Sequence, residues 1–134
     1  MELRVHRALV AFIVGLLISV PLTAHHGNAA YDTSKAVVLK DATVTKFVWA
    51  NPHTIIQFDV QDDKGNVVLW AGEAGSPSAL RLLGWTQSSV QPGDRITVYI
   101  YGAKSGQPVG RLNKIVLSDG TELKDSALGY RGVE

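Results

Sequence analysis

Three histidines stand in two short segments whose residue types could do chemistry. His25 and His26 follow Ala24 in the run AHHG, and His53 ends the run WANPH that begins at Trp49. The fourth histidine, His6, lies close to the start, and the chain has no cysteine. Without thiols there is no disulfide framework, no Cys-ligated zinc, no thiol nucleophile and no acylated lipoprotein cysteine. What remains for tight metal binding is imidazole, joined by the α-amine of His25 if the chain is cut after Ala24. An N-terminal histidine offers its amine and its own imidazole to one ion. A second imidazole, from His26 or His53, completes a T-shaped set of three nitrogens. Tetragonal, nitrogen-rich surroundings favour Cu(II) over other divalent first-row ions. The amine suits this role because its pKa, near 8, lets a metal displace its proton near neutrality. Zinc fits less well, since two or three histidines without Cys make a loose tetrahedral site. Glu73 or Asp32 could add an oxygen ligand or steady an imidazole from behind.

The copper expectation depends on where the chain is cut. Arg4 and Arg7 precede an apolar run, Ala8 to Val20, and Pro21-Leu22-Thr23-Ala24 follows. Thirteen apolar residues are too few for a membrane span, which needs roughly 20. A basic start, a short apolar middle and a small residue at the cut are the layout of a secretory signal peptide. Cleavage after Ala24 leaves His25 first; cleavage after Ala29 or Ala30 would remove both His25 and His26. The expected location is the periplasm or the exterior, with no stable membrane anchor after cleavage. Without residues 1–24, Lys and Arg balance Asp and Glu at 11 each. That balance argues against nucleic acid and anionic membranes as partners, since both attract a basic excess. A metal ion, a small ligand or another exported protein are the expected partners.

The remaining 110 residues must position these groups with one modest core. Apolar residues make up 46% of the chain and charged ones 19%, a globular composition. Residues 25–35 read as a polar arm. Ala36 to Trp49 is rich in Val, Thr and aromatics, and Asp41-Ala42 breaks its alternation, so a bent or bulged first strand is expected. Thr54 to Gln61 alternates with Ile56, Phe58 and Val60 on one face, and Asp62 to Asn66 is a Gly-containing hairpin loop. Val67 to Glu73 is a third strand. Ser76-Pro77 opens a short helix that Gly84 stops. Arg95 to Tyr101 and Arg111 to Leu117 are strands four and five, and the TELK segment after Asp119-Gly120 is a short tail strand. Three strands, a helix and two strands is the order of an all-β, OB-like five-stranded barrel over 36–124, with a C-terminal tail at 125–134. A small β-sandwich shares the same pattern of alternation. In an OB barrel the ligand face is strands two and three, flanked by the one–two and four–five loops, here Ala50–His53 and Gly102–Gly110.

The strings AHHG-x3-YD at Ala24 to Asp32, TVTKFVWANPH at Thr43 to His53, DDKGNVVLWAGE at Asp62 to Glu73, and GW-x6-PGD-x-ITV from Gly84 resemble one family of small exported bacterial proteins, the domain of unknown function 6152. The resemblance covers residues 24 to 120. Asp41 stands where the family pattern more often has Gly. The resemblance implies export and a single small β domain, and it implies no activity.

A second class of function is a metal-free ligand- or partner-binding module built on aromatics. Tyr99 and Tyr101 alternate with Ile96, Val98 and Ile100, so if the aliphatics face the core the tyrosines face out, where they could stack on a ligand. Trp49, beside Asn51 and His53, is the tryptophan best placed for function. Trp85 and Trp70 read as packing residues. The ligand-binding candidates are therefore Trp49, Asn51, Glu73, Tyr99 and Tyr101, beside the metal candidates His25, His26 and His53. Arg81, Arg95 and Arg111 read as isolated. No Gly-rich loop opens a helix to hold phosphate, no G-x-S-x-G elbow is present, and one strand carboxylate does not make a hydrolase pair. An enzyme is thus the least supported class.

Overall fold

The first strand is the element that makes a barrel out of this sequence. In the computed structural model, which describes residues 28–125, β1 (Val37–Val48) pairs antiparallel with β4 (Arg95–Gly102) along its first half and with β2 (Ile55–Gln61) along its second. The changeover falls at Asp41, whose φ is +55° and beside which the β1–β4 register slips between Leu39 and Ala42. That left-handed conformation is one that Gly takes freely and Asp tolerates. It bends the strand where the sequence breaks alternation.

From β2 the chain turns through Asp62–Asn66 into β3 (Val67–Glu73). Asp62 organises this hairpin, its carboxylate accepting from the backbone of Lys64 and Asn66 and from the Asn66 amide. The short helix α1 (Pro77–Arg81) follows, with the Ser76 hydroxyl accepting from Ala79 N and Pro77 in its first turn. β5 (Val109–Val116) pairs antiparallel with β4 and, through Ala71–Glu73 against Val109–Arg111, in parallel with β3. That parallel contact closes a five-stranded barrel. β6 (Glu122–Lys124) adds a sixth strand on the far side of β5. The barrel with its inserted helix is the expected architecture, and the sandwich is set aside because β3–β5 joins what would be two sheets.

The core follows the alternation. Val44, Ile56, Phe58, Val98, Ile100, Leu112 and Ile115 fill the barrel, and Leu80 of α1 with Trp85 plugs one end. Trp85 is buried and its indole N–H donates to the Lys124 carbonyl at 2.9 Å, so it is a packing residue as expected. Closure also needs a residue without a side chain. A Cβ on Gly110 would sit 2.5 Å from the Tyr101 carbonyl oxygen and 2.7 Å from Ile100 Cγ1. Gly110→Ala is therefore expected to destabilise the fold towards the upper end of about 1–3 kcal/mol, because backbone cannot yield as a side chain does. Urea unfolding checks this; a loss below about 0.5 kcal/mol would show that the β4–β5 crossing has slack.

Among the described residues no helix is long and apolar enough to cross a membrane. The expected signal peptide, residues 1–24, lies outside the described residues, as does most of the expected C-terminal tail.

Candidate functional site

The parallel β3–β5 contact places Glu73 beside Arg111, since the two are register partners. Glu73 is also the partner of Ile55 at the start of β2. Just before β2 the backbones of Thr54, Ala74 and Gly75 bond to one another, at 2.8 Å from Ala74 N to Thr54 O and 3.0 Å from Thr54 N to Gly75 O. These bonds hold His53 over the end of β3. The result is a polar cluster at the barrel end that carries the one–two and four–five loops.

His53 Nδ1 lies 3.2 Å from Glu73 Oε1 and 3.3 Å from the Ala74 carbonyl oxygen. The Ala74 carbonyl is its hydrogen-bond acceptor, so Nδ1 carries the hydrogen and donates to it, while Glu73 Oε1 lies at ion-pair distance. In the neutral ring that leaves Nε2 with its lone pair, and the side chain is 46% exposed. A carboxylate behind one ring nitrogen is the arrangement that orients a metal-binding imidazole and raises its basicity.

The arm reaches the same carboxylate from the other side. The backbone at Ala30 to Asp32 is bonded to the four–five loop through Lys104 N to Ala30 O at 3.0 Å and Asp32 N to Gly102 O at 2.9 Å, with a bridge between Tyr31 and Ala103. Tyr31 Oη then donates to Glu73 Oε2 at 3.1 Å. Burial, reinforced by the Glu73 charge, pushes the Tyr31 phenol above its usual value of 10, so it stays protonated and donating at neutral pH.

Behind Glu73 lies a buried charge relay that the sequence did not reveal. Arg111 Nη1 is 3.3 Å from Glu73 Oε1 and Nη2 is 3.0 Å from Asp125 Oδ2, with Arg111 and Asp125 both buried. Asp125 Oδ1 accepts from Gly75 N at 3.0 Å, and its backbone N–H bonds Asn113 O at 2.8 Å. One chain therefore runs His53–Glu73–Arg111–Asp125. Arg111 is no isolated surface charge. Among the described residues the other two arginines pair locally: Arg95 with Asp41 at 3.2 Å, and Arg81 over the Trp49 ring at 5.7 Å.

Of the predicted site residues, the structure brings together His53 and Glu73. His25 and His26 lie outside the described residues. Trp49 is half-buried against Phe47 and beneath Arg81, and Asn51 is exposed on the loop. Tyr99 stands on the outer face with the Lys114 ammonium 4.7 Å from its ring centre. Tyr101 corrects the expectation that both tyrosines face out: it is 3% exposed and its hydroxyl accepts from Asn113 Nδ2 at 2.9 Å. It is the register partner of Arg111, and Asp125, bonded to Arg111 and Asn113, lies over that face. An outward position by alternation is thus a buried one in space. In sequence, this covering of the face by Asp125 is announced by nothing more than the acid that follows the TELK strand. Among the described residues no group of three or more His, Cys, Asp or Glu gathers as a metal-binding set. His53 Nε2 is a single nitrogen donor.

Fold and cluster together define a small closed β-barrel domain with an added strand and a histidine–carboxylate–arginine site at its loop end. Residues 14–112 match the family model described as Family of unknown function (DUF6152), and the chain belongs to that family. The matched span includes His25, His26, Tyr31, His53, Glu73 and Arg111. No curated protein and no solved structure matches the chain.

Proposed function

We propose that this is an exported protein that binds one Cu(II) ion at a mature N-terminus beginning with His25. The His25 amine and imidazole supply two nitrogens and His53 Nε2 the third, with His26 as a neighbouring imidazole. The observation that carries the reading is the shared carboxylate: Glu73 orients His53 through one oxygen and receives Tyr31 of the arm on the other. Five residues lie between His25 and Tyr31, a span of at most about 20 Å, so the arm is tethered within reach of His53. The metal-free module built on Trp49, Tyr99 and Tyr101 has less support, since Tyr101 is buried, Trp49 is half-buried beneath Arg81 and the Tyr99 face already holds an ammonium.

A copper competition titration tests this on protein beginning at His25, beside the same protein with its α-amine acetylated. Acetylation removes the amine donor and breaks the chelate. The native start is expected to bind one Cu(II) on the order of a hundredfold more tightly, about 2.7 kcal/mol. Equal, weak binding by both proteins would refute the proposal.

A further inference from the structure

The barrel is closed, but its ladders are short along one seam, which leaves a cleft there. The β1–β2 ladder ends at Thr43 opposite Asp59, and before the Asp41 bend β1 pairs with β4 alone. The parallel β3–β5 ladder covers only Ala71–Glu73 of β3. Side chains that alternation turns inward therefore meet solvent here. Val37 and Leu39 are register partners of buried Ile100 and Val98, yet Val37 is 44% exposed and Leu39 is half-buried. Trp70, opposite buried Phe58, and Val68, opposite Val60, are half-buried as well. With Pro108 of the four–five loop they line a groove of about 690 Å³, within the 300–1,000 Å³ range of small-molecule sites. Leaving such apolar surface open costs roughly 25 cal/mol per Å² that an occupant would recover.

Charge around the seam is lopsided. Asp62 and Asp63 of the hairpin stand at its rim, and Asp59 and Asp41 line the groove that continues it. Against these four carboxylates stand Lys40 and Arg95, and Arg95 is already paired with Asp41. The Asp62 carboxylate is fixed in its ionised form, its pKa lowered chiefly by the Asn66 side chain. An anion meets repulsion here and a cation does not.

We propose that this seam is a binding site for a small, flat apolar molecule bearing a protonated amine. The ring lies against Trp70 and the inward-facing aliphatics, and the ammonium lies towards Asp62 and Asp63. An aromatic face also favours a cation nearby. This site is separate from the copper proposal, and either can fail without the other.

The test uses two probes with one ring and opposite charges at neutral pH, 1-naphthylmethylamine and 1-naphthylacetate, titrated calorimetrically against the purified protein. The amine is expected to bind saturably, with the acid at least about tenfold weaker, a difference of 1.4 kcal/mol. Trp70→Ala is expected to weaken the amine at least tenfold. Asp63→Lys, on an exposed hairpin where the fold has little at stake, is expected to narrow or reverse the preference, with thermal melting as the check on folding. Equal affinity for both probes, no saturable binding of either, or a preference unchanged by Asp63→Lys would overturn the proposal.

Discussion

Arg111→Met is expected to cost about 3–5 kcal/mol of stability, the range for breaking a buried ion pair from one side. The guanidinium sits between two carboxylates, Glu73 at 3.3 Å and Asp125 at 3.0 Å, and both Arg111 and Asp125 are buried. Met fills most of the same volume, so the loss is electrostatic and not a cavity. Without the guanidinium, the buried Asp125 carboxylate loses an ion-pair partner at 3.0 Å, and Glu73 loses one at 3.3 Å, which weakens the native state. For a domain of this size, with a total stability of about 5–15 kcal/mol, that is a large share. The double variant Arg111→Met/Asp125→Asn is expected to recover part of the loss, because an amide costs less to bury than a carboxylate that has lost its cation. Urea unfolding of the two variants beside the parent decides the matter. A single variant within about 1 kcal/mol of the parent would mean that the relay is screened and does not hold β3, β5 and the returning tail together.

The relay also shows which part of this molecule was legible from its residues. Strand order, the bent first strand, the helix plug and the Trp85 core position follow from periodicity and from cap and turn chemistry, which are local. Asp41 is the clearest case, since its break in alternation became a positive φ and a register slip. His53 and Glu73 were legible as residue types in suggestive segments, but their meeting depends on a β2–β3 register and on Thr54 bonding across to Ala74 and Gly75. Arg111 and Tyr101 were misread for a related reason. Alternation assigns a side chain to one of two faces, and it carries no information about whether a later segment covers the outer one. Here Asp125, returning after β6, does so. The seam was equally hidden: Trp70 looks like core because its face is the core face, and only the divergence of β1 from β2 leaves that face uncovered.

His53→Ala and Glu73→Gln separate the roles of barrel and arm in copper binding. If His53 Nε2 is the third nitrogen, His53→Ala is expected to lower Cu(II) affinity by more than the 10–100-fold typical of losing a partner behind a ligand. Glu73→Gln should fall within that 10–100-fold range, about 1.4–2.7 kcal/mol. The Nδ1 hydrogen keeps the Ala74 carbonyl as its acceptor, but the amide beside it lacks the charge that steadies the imidazole. It also no longer balances Arg111, so thermal melting must accompany the titration. Tyr31→Phe removes a single hydrogen bond and should cost about tenfold at most, since the backbone bonds of Ala30 and Asp32 still hold the arm beside the loop. The Cu(II) electron paramagnetic resonance spectrum supplies a second readout, because losing an imidazole nitrogen changes the ligand hyperfine pattern whereas a purely structural loss does not. His26→Ala is the counterpart, expected to leave affinity within a few-fold of the parent. The reverse outcome, with His26→Ala abolishing binding while His53→Ala and Glu73→Gln match the parent, would place the whole site in the arm. The Glu73 cluster would then be reduced to a clasp for Tyr31.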